Sequence, residues 1–304
     1  MKFLLIMNPG AHSGRVKHRW QTWTDSLHKN CIEFDSVQTE SIGHACKLAR
    51  SANGCDGVVA VGGDGTINEV LDGVIQSNNP NLCMGVLYAG TSPDFCRFHG
   101  IPTDPQRALQ VLLAGKTRKV DVARISYGDK AGATHTAHFG CSCNIGMGAS
   151  VARNSNRLRR FLGDRLGTAV AVLMAVTVNN RVDLELEIDG ETHSLPKINN
   201  LSIVKNPHIA SGLKLKLDIQ PDDGKLWLVG LQGKGRVGLC RTLPGFYSGS
   251  VTRGAGIYLN TCKRVTIQSQ ENQEIEFDGD PKGFLPIRIE LLPKALNLIG
   301  DSYE

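Results

Sequence analysis

The segment Gly62-Gly63-Asp64-Gly65-Thr66 follows the apolar run Val58-Val59-Ala60-Val61 and opens into a helical pattern with Ile67, Val70, Leu71 and Val74 on one side. Glycines let the backbone turn tightly and approach a ligand without a Cβ in the way. The first amides of a helix have no intrahelical acceptor, and its positive dipole end faces the loop. An apolar strand, a glycine turn and a helix start therefore make a phosphate cradle. Thr66 with Glu69 three residues on matches a capping box for that helix. Asp64 would repel phosphates unless a divalent cation sat between them, which points to Mg²⁺. No Lys-Ser or Lys-Thr pair follows the glycines, so the Walker pattern is excluded, and the full dinucleotide spacing is missing as well.

Two further loops stand in equivalent places. Asn8-Pro9-Gly10-Ala11-His12-Ser13-Gly14 follows the apolar run ending at Met7, and Gly90-Thr91-Ser92-Pro93-Asp94-Phe95 follows Leu87-Tyr88. In a parallel sheet ligands collect at the carboxyl ends of the strands, so the three loops can converge. Taken singly, the first reads equally as a strand-to-helix turn with His12 exposed. The second reads equally as a helix start, with Thr91 or Ser92 at the N-cap and Pro93 at the first helical position.

These residues need a scaffold. Residues 2–7, 34–38, 57–61 and 83–88 read as strands, and residues 15–29, 41–51, 67–76 and 104–113 as helices, with Gly115 stopping the last one. The alternation predicts a doubly wound α/β domain over residues 1–121. The character then changes. Residues 119–127 and 134–143 read as strands and 164–179 as one apolar helix. Strands follow at 183–188, 200–204, 213–219, 226–231, 264–268, 274–277 and 287–292. Alternation such as Leu184, Leu186, Ile188 marks sheets with one wet face. This predicts a mainly antiparallel β-sandwich over residues 122–304, facing the first domain across a cleft.

Composition narrows the class. The 304 residues are 41% hydrophobic and 21% charged with a net charge of +5, which suits two globular domains with full cores. Nine cysteines, an odd number with no Cys-x-x-Cys spacing, exclude a disulfide framework or a zinc site and point to a reducing cytoplasm. The apolar run 3–7 is too short for a signal peptide, and 169–178 is too short for a membrane span. Membrane contact is therefore expected to be peripheral. Arg153, Arg157, Arg159 and Arg160, with Leu158 and Phe161 among them, suit an anionic surface and read equally as a solvated helix end. No nucleic-acid partner is expected.

With these motifs assembled, the chain resembles the diacylglycerol kinase catalytic-domain family, which includes bacterial lipid kinases and sphingosine kinases. The matching residues are Asn8-Pro9 with Ser13-Gly14, Thr39, Gly43-His44-Ala45, Gly62 to Thr66 with Asn68-Glu69, and Gly90-Thr91 with Asp94-Phe95. Downstream come Asn144-x-Gly146-x-Gly148, Pro221-Asp222-Asp223-Gly224-x-Leu226 and Asp278-Gly279-Asp280. The glycine loop alone is shared with NAD kinases and phosphofructokinases; the two late acidic motifs favour lipid kinases.

The resemblance implies an NAD kinase- or phosphofructokinase-like nucleotide domain over 1–121 and a β-sandwich lipid-substrate domain over 122–304, with the tail from residue 294 packing back on the first domain. It implies ATP as cosubstrate, contacted by Asn8, Ser13, Thr39, Gly62, Gly63, Asp64, Gly65, Thr66, Ile67, Asn68 and Thr91. It implies a structural Mg²⁺ held by Asp223 with the carbonyls of Leu226 and Leu228. Asp64 and Asp94 would organise the nucleotide's Mg²⁺, and Asp280 would be the catalytic base. The implied acceptor is a lipid hydroxyl at a membrane surface, diacylglycerol or a related lipid, phosphorylated in the cytoplasm on the inner face of the membrane; a homodimer is left open. Two positions depart from the family pattern: Pro93 where the family has Asn, and Asp280 where it commonly has Glu. Pro93 removes an amide side chain and a backbone N–H, and Asp280 has a reach shorter by one methylene. A soluble-substrate kinase of the NAD kinase type and a non-catalytic nucleotide-binding homologue remain the alternatives. The turn Asp222-Asp223-Gly224 also reads as a plain hairpin turn.

Overall fold

Continuous apolar runs suit strands of a parallel sheet covered on both faces, and β3 (Gly57–Gly62) and β4 (Cys83–Tyr88) are buried along their whole length. The computed structural model describes residues 1–11, 16–209, 213–247 and 256–301. It divides into one unit made of Met1–Val122 with Pro293–Glu304 and a second made of Ala123–Leu292. In the first, β1 (Lys2–Met7) pairs in parallel with β2 (Glu33–Gln38) on one side and β3 on the other, and β3 pairs in parallel with β4. The order reverses between β1 and β3, so the crevice at their carboxyl ends is the topological switch point.

Helices cover both faces. Trp23 and Leu27 of α1 (Val16–Lys29) and Leu109 and Leu112 of α5 (Pro105–Ala114) join Phe3, Leu5, Val59 and Val61 in one core. Each such side chain contributes roughly 1.5–3 kcal/mol by leaving water. The alternate residues Ile6, Val58, Ala60 and Met84 are buried on the opposite face, where α3 (Asp64–Gln76) packs on β3 and α2 (His44–Arg50) packs on α3. Asp104 caps α5 by accepting from the Arg107 amide, Pro105 opens it, and Gly115 ends it at φ 62°. A short helix, α4 (Asp94–Phe98), lies between β4 and α5.

Chain segments β5 (Thr117–Gly128) and β16 (Asp280–Ile299) run from one unit into the other, and the end of β16 adds a parallel strand beside β4. The second unit also holds β6 (Thr134–Phe139), β7 (Ser142–Gly146), α6 (Met147–Val178), β8 (Val182–Ile188), β9 (Glu191–Val204), β10 (His208–Ile209), β11 (Leu213–Lys214), β12 (Leu226–Gln232), α7 (Arg236–Tyr247), β13 (Ile257–Cys262), β14 (Arg264–Gln268) and β15 (Glu274–Phe277).

The antiparallel character is as the sequence predicts, but the pairing closes. Going round, β9 pairs β7, β7 pairs β15, β15 pairs β16, β16 pairs β14, β14 pairs β8 and β8 returns to β9. Closure is possible because β9 and β16 are long enough to change partner midway. β9 meets β8 over residues 191–198 and β7 over 200–204.

Four expectations are corrected. The run 134–143 is two strands, because the amides of Gly140, Cys141 and Ser142 turn to a carboxylate instead of a ladder. The strand over 213–219 is confined to Leu213–Lys214. The helix at 164–179 begins at Met147 and carries a break at Gly163 (φ 72°, ψ 171°). Its first half lacks apolar periodicity and buries small residues, Ala149 and Ser155. The helix after the glycine loop begins at Asp64 rather than Ile67.

Gly73 sets the distance between α2 and α3. A Cβ there would lie 2.3 Å from the Cys46 carbonyl oxygen and 2.6 Å from the Ala49 Cβ. Gly73→Ala is therefore expected to lower the stability of the fold by about 1–3 kcal/mol, read as a lower urea midpoint at unchanged slope. An unchanged midpoint would contradict this packing.

Candidate functional site

Around the carboxyl ends of β1, β3 and β4 the backbone approaches itself closely. A Cβ on Gly90 would lie 2.6 Å from the Gly63 Cα, and one on Gly62 would lie 2.5 Å from Thr66 Oγ1. Glycine at these places lets the loops meet. The Asn8 amide donates to Val61 O at 3.0 Å and the Thr39 amide to Met7 O at 2.8 Å, so both loops continue from their strands. Asn8 Nδ2 donates to Thr66 Oγ1 at 3.2 Å, and Asn8 Oδ1 accepts from the Gly10 amide at 3.0 Å. Asn8, Thr39, Gly62 to Thr66, Gly90 and Thr91 are thus brought to one edge of one sheet. Ser13 lies outside the described residues.

Gly63 is the N-cap of α3, and the first intrahelical bond runs from the Ile67 amide to Gly63 O at 3.0 Å. The amides of Asp64, Gly65 and Thr66 precede it, so they head the helix where its dipole is positive. The Ile67 amide is engaged by Gly63 O and its side chain is 1% exposed in the core. The capping box is corrected. With the helix starting at Asp64, Glu69 no longer faces its own N-terminus. Its carboxylate crosses to α2 and accepts from the amides of Gly43 at 2.8 Å and Ala45 at 3.1 Å. Asp64 does the same for α4, accepting from the Phe95 amide at 3.3 Å. Pro93, not Thr91 or Ser92, is the N-cap of α4.

Asp94 is buried, with Arg97 Nη1 at 3.6 Å. Burial, then the charge of Asp64, then Cys96 and the charge of Asp94, hold the Tyr88 hydroxyl well above its ordinary range. Two carboxylates beside helix-head amides fit a Mg²⁺ that arrives with a nucleotide, whose phosphates complete the ion's shell. Asp223 with Leu226 and Leu228 does not fit the structural Mg²⁺. Asp223 Oδ1 lies 2.5 Å from the ammonium of Lys205. Leu226 and Leu228 sit in β12, paired to Cys262 and Asn260 of β13, with Leu228 also paired to Ile203 of β9.

The second unit holds three carboxylates on one turn, in three environments. Asp278, at φ 48°, accepts from the amides of Gly140 at 3.0 Å, Cys141 at 3.1 Å and Ser142 at 2.9 Å. Glu276 is 4% exposed. Its oxygens accept from the Gly279 amide at 2.5 Å and Asn144 Nδ2 at 2.7 Å. The strand register makes this a polar row, since Glu276 pairs Asn144 and Asn144 pairs Ser202. Ser202 Oγ donates to Asn144 Oδ1 at 2.5 Å and accepts from Asn200 Nδ2 at 2.9 Å, while Asn200 Oδ1 accepts from the Gly148 amide at 2.7 Å near the start of α6. Asp280 differs. Its side chain is 45% exposed and meets the polar tips of Asn156, Nδ2 at 3.3 Å, and Lys282, Nζ at 3.9 Å.

Burial pushes Glu276 up to about 8, against the pull of its two N–H donors, and Asp278 and Asp280 add to the rise. Burial also pushes Asp278 up to about 6, against three amide bonds. Sequence reasoning missed Glu276, Asn200 and Ser202 as members of a site. Alternation in β15 predicts Glu276 on the face opposite Ile275 and Phe277, yet all three are buried, and only the cross-strand register shows why.

Residues 2–125 match the diacylglycerol kinase catalytic domain, and residues 141–300 match the YegS C-terminal NAD kinase beta sandwich-like domain. The chain belongs to the diacylglycerol kinase catalytic-domain family, a family of kinases. Among curated proteins it is similar to the diacylglycerol kinases of Staphylococcus aureus strains bovine RF122 / ET3-1 and MRSA252, each 27% identical over 98% of this chain and 92% of the relative. A crystal structure of a diacylglycerol kinase from Bacillus anthracis str. Sterne matches with a TM-score of 0.72 at 18% identity, covering 99% of this chain and 97% of that one. Yeast NADH kinase complexed with NADH matches with a TM-score of 0.53 at 11% identity, covering 98% and 82%. These two likenesses show the fold.

The Glu276 shift has a signed consequence. Between the ordinary carboxyl value of 4.5 and about 8 the folded chain holds a proton that the unfolded chain has released. That stability is fully present below the lower value and is lost as pH rises through the upper one, at up to about 1.4 kcal/mol per pH unit. Urea denaturation at pH 5, 6, 7 and 8 is expected to show a steeper decline for the native chain than for Glu276→Gln. Parallel profiles would contradict the buried, protonated carboxyl.

Proposed function

We propose that the protein transfers the γ-phosphate of MgATP to a lipid hydroxyl, diacylglycerol or a closely related lipid. The observation that carries this reading is the coexistence, in a chain of this family, of a glycine cradle at a helix head and a partly exposed carboxylate, Asp280, beside a buried Glu276 and an Asp278 engaged by three main-chain amides. The amides of Gly63, Asp64, Gly65 and Thr66 would receive phosphate oxygens. Asn8, Thr39, Asn68 and Thr91 border them, and Ser13 is assigned on sequence alone. Asp64 and Asp94 would hold the Mg²⁺ that neutralises the transferring group. Phosphoryl transfer asks the protein mainly for position and charge neutralisation. Asp280 would accept the hydroxyl proton, a role its exposure allows, whereas Glu276 is buried and Asp278 is taken up by three main-chain amides.

A lipid acceptor agrees with the surface of α6. Phe161 is 82% exposed, Leu166 64% and Leu162 44%. Arg157 is exposed nearby, and Arg153 is tied to Glu274 at 2.7 Å. Among the described residues no helix is long and apolar enough to cross a membrane. We infer a peripheral contact in which the apolar tips enter the interface and basic residues meet anionic headgroups, each worth ~1 kcal/mol near such a surface.

Radiolabelled ATP offered with diacylglycerol, monoacylglycerol, sphingosine, phosphatidylglycerol and NAD is expected to label a lipid. Labelling of NAD alone would establish the soluble-substrate kinase, and binding without labelling the non-catalytic reading. Asp280→Asn is expected to lower turnover by roughly 10²–10⁴-fold at unchanged circular dichroism; full turnover would remove Asp280 as the base. In flotation with vesicles containing phosphatidylserine, Phe161→Asp combined with Leu166→Asp is expected to release the protein from the lipid fraction. Undiminished flotation would place the membrane contact elsewhere.

A further inference from the structure

The turn Asp222-Asp223-Gly224, implied by family resemblance to hold a divalent cation, holds a cation of another kind. Lys205 follows β9 directly and is 1% exposed. Its Nζ donates to Asp223 Oδ1 at 2.5 Å and to the Gln220 carbonyl oxygen at 2.7 Å. The same carboxylate accepts from the amides of Gln220 and Lys225, each at 3.1 Å. One enclosed ammonium and two amides thus converge on Asp223, and the ammonium also takes up a main-chain carbonyl of the turn.

A divalent ion at this carboxylate would face an enclosed positive charge at contact distance. In surroundings poor in water that repulsion is far stronger than at a surface. Mg²⁺ demands near-octahedral oxygen coordination, and the Gln220 carbonyl oxygen at this turn is taken by the ammonium. Among the described residues no group of three or more His, Cys, Asp or Glu side chains is placed to hold a metal. The carbonyls of Leu226 and Leu228 belong to a strand paired with its neighbours. We propose that Lys205 is the built-in cation of the Asp223 turn, and that this chain folds and keeps the turn closed without a structural metal there. Removing one partner of an enclosed ion pair leaves the other uncompensated, which is strongly destabilising. The pair should therefore matter to the fold whatever lipid, or other acceptor, the protein phosphorylates.

The test is thermal unfolding of the full chain without nucleotide, after dialysis against EDTA, in EDTA and in millimolar MgCl2 or CaCl2. The native chain is expected to unfold within about 1 °C of the same midpoint in all three. Lys205→Met is expected to unfold on the order of 10 °C lower in EDTA and to regain part of that loss with either ion, because Asp223 and the Gln220 carbonyl are then short of a cation. A native midpoint that rises by more than about 5 °C with Mg²⁺, and fails to rise in Asp223→Asn, would overturn the proposal. A rise that survives in Asp223→Asn arises elsewhere and leaves the proposal standing. Lys205→Met as stable as the native chain in EDTA would also overturn it. If Lys205→Met does not fold, the native chain and Asp223→Asn decide alone.

Discussion

A carboxylate taken out of water must be met by donors, or the fold that encloses it is lost. Much of the second unit follows from meeting that requirement at Asp278 and Glu276. Asp278 is answered by three consecutive main-chain amides. Because those amides leave the ladder, the chain breaks between β6 and β7, and the second strand restarts at Ser142 in register with β15. Glu276 takes one amide and then depends on Asn144, which is oriented by Ser202, which is met by Asn200, which holds the head of α6. The start of a long helix and the shape of an acidic turn are thus two ends of one hydrogen-bonded row.

Acidic residues of similar chemistry are driven to different uses by what surrounds them. Asp278 is saturated by backbone, Asp223 by an ammonium and backbone, and Asp280 by solvent and two flexible side chains. The last is the one whose side chain is 45% exposed. The same division holds in the first unit. Glu69 caps α2 and Asp64 caps α4, so α3 is a hub whose acidic side chains fix its neighbours while its own first amides face the loop. Cradle geometry then rests on close approach, with the Gly63 and Gly90 backbones so near that a side chain on either would separate them.

Much of the first unit was legible in the sequence. Its strands are uninterrupted apolar runs, and its turns carry glycines that have few other uses, so periodicity and glycine placement identify elements and loops together. The antiparallel strands of the second unit were legible for the same reason, through alternation. What failed was local and instructive. Helix α3 begins earlier because Gly63 supplies the extended N-cap. The first half of α6 was hidden because it buries small residues rather than an apolar stripe. The closed ring of strands was hidden because partner exchange along β9 and β16 has no residue signature.

The sequence alone determined the glycine loop, the acidic motifs and the resemblance that the family matches bear out. These depend on residue type, spacing and backbone permission, all written in order along the chain. Only the tertiary structure decided which carboxylates are buried, that Glu276 lies beside the acidic turn, and that Lys205 pairs with Asp223. Those outcomes are set by partners distant in the chain, 18 residues away for Lys205 and 132 for Asn144. Charge compensation is a property of neighbours in space, and no one-dimensional pattern records it.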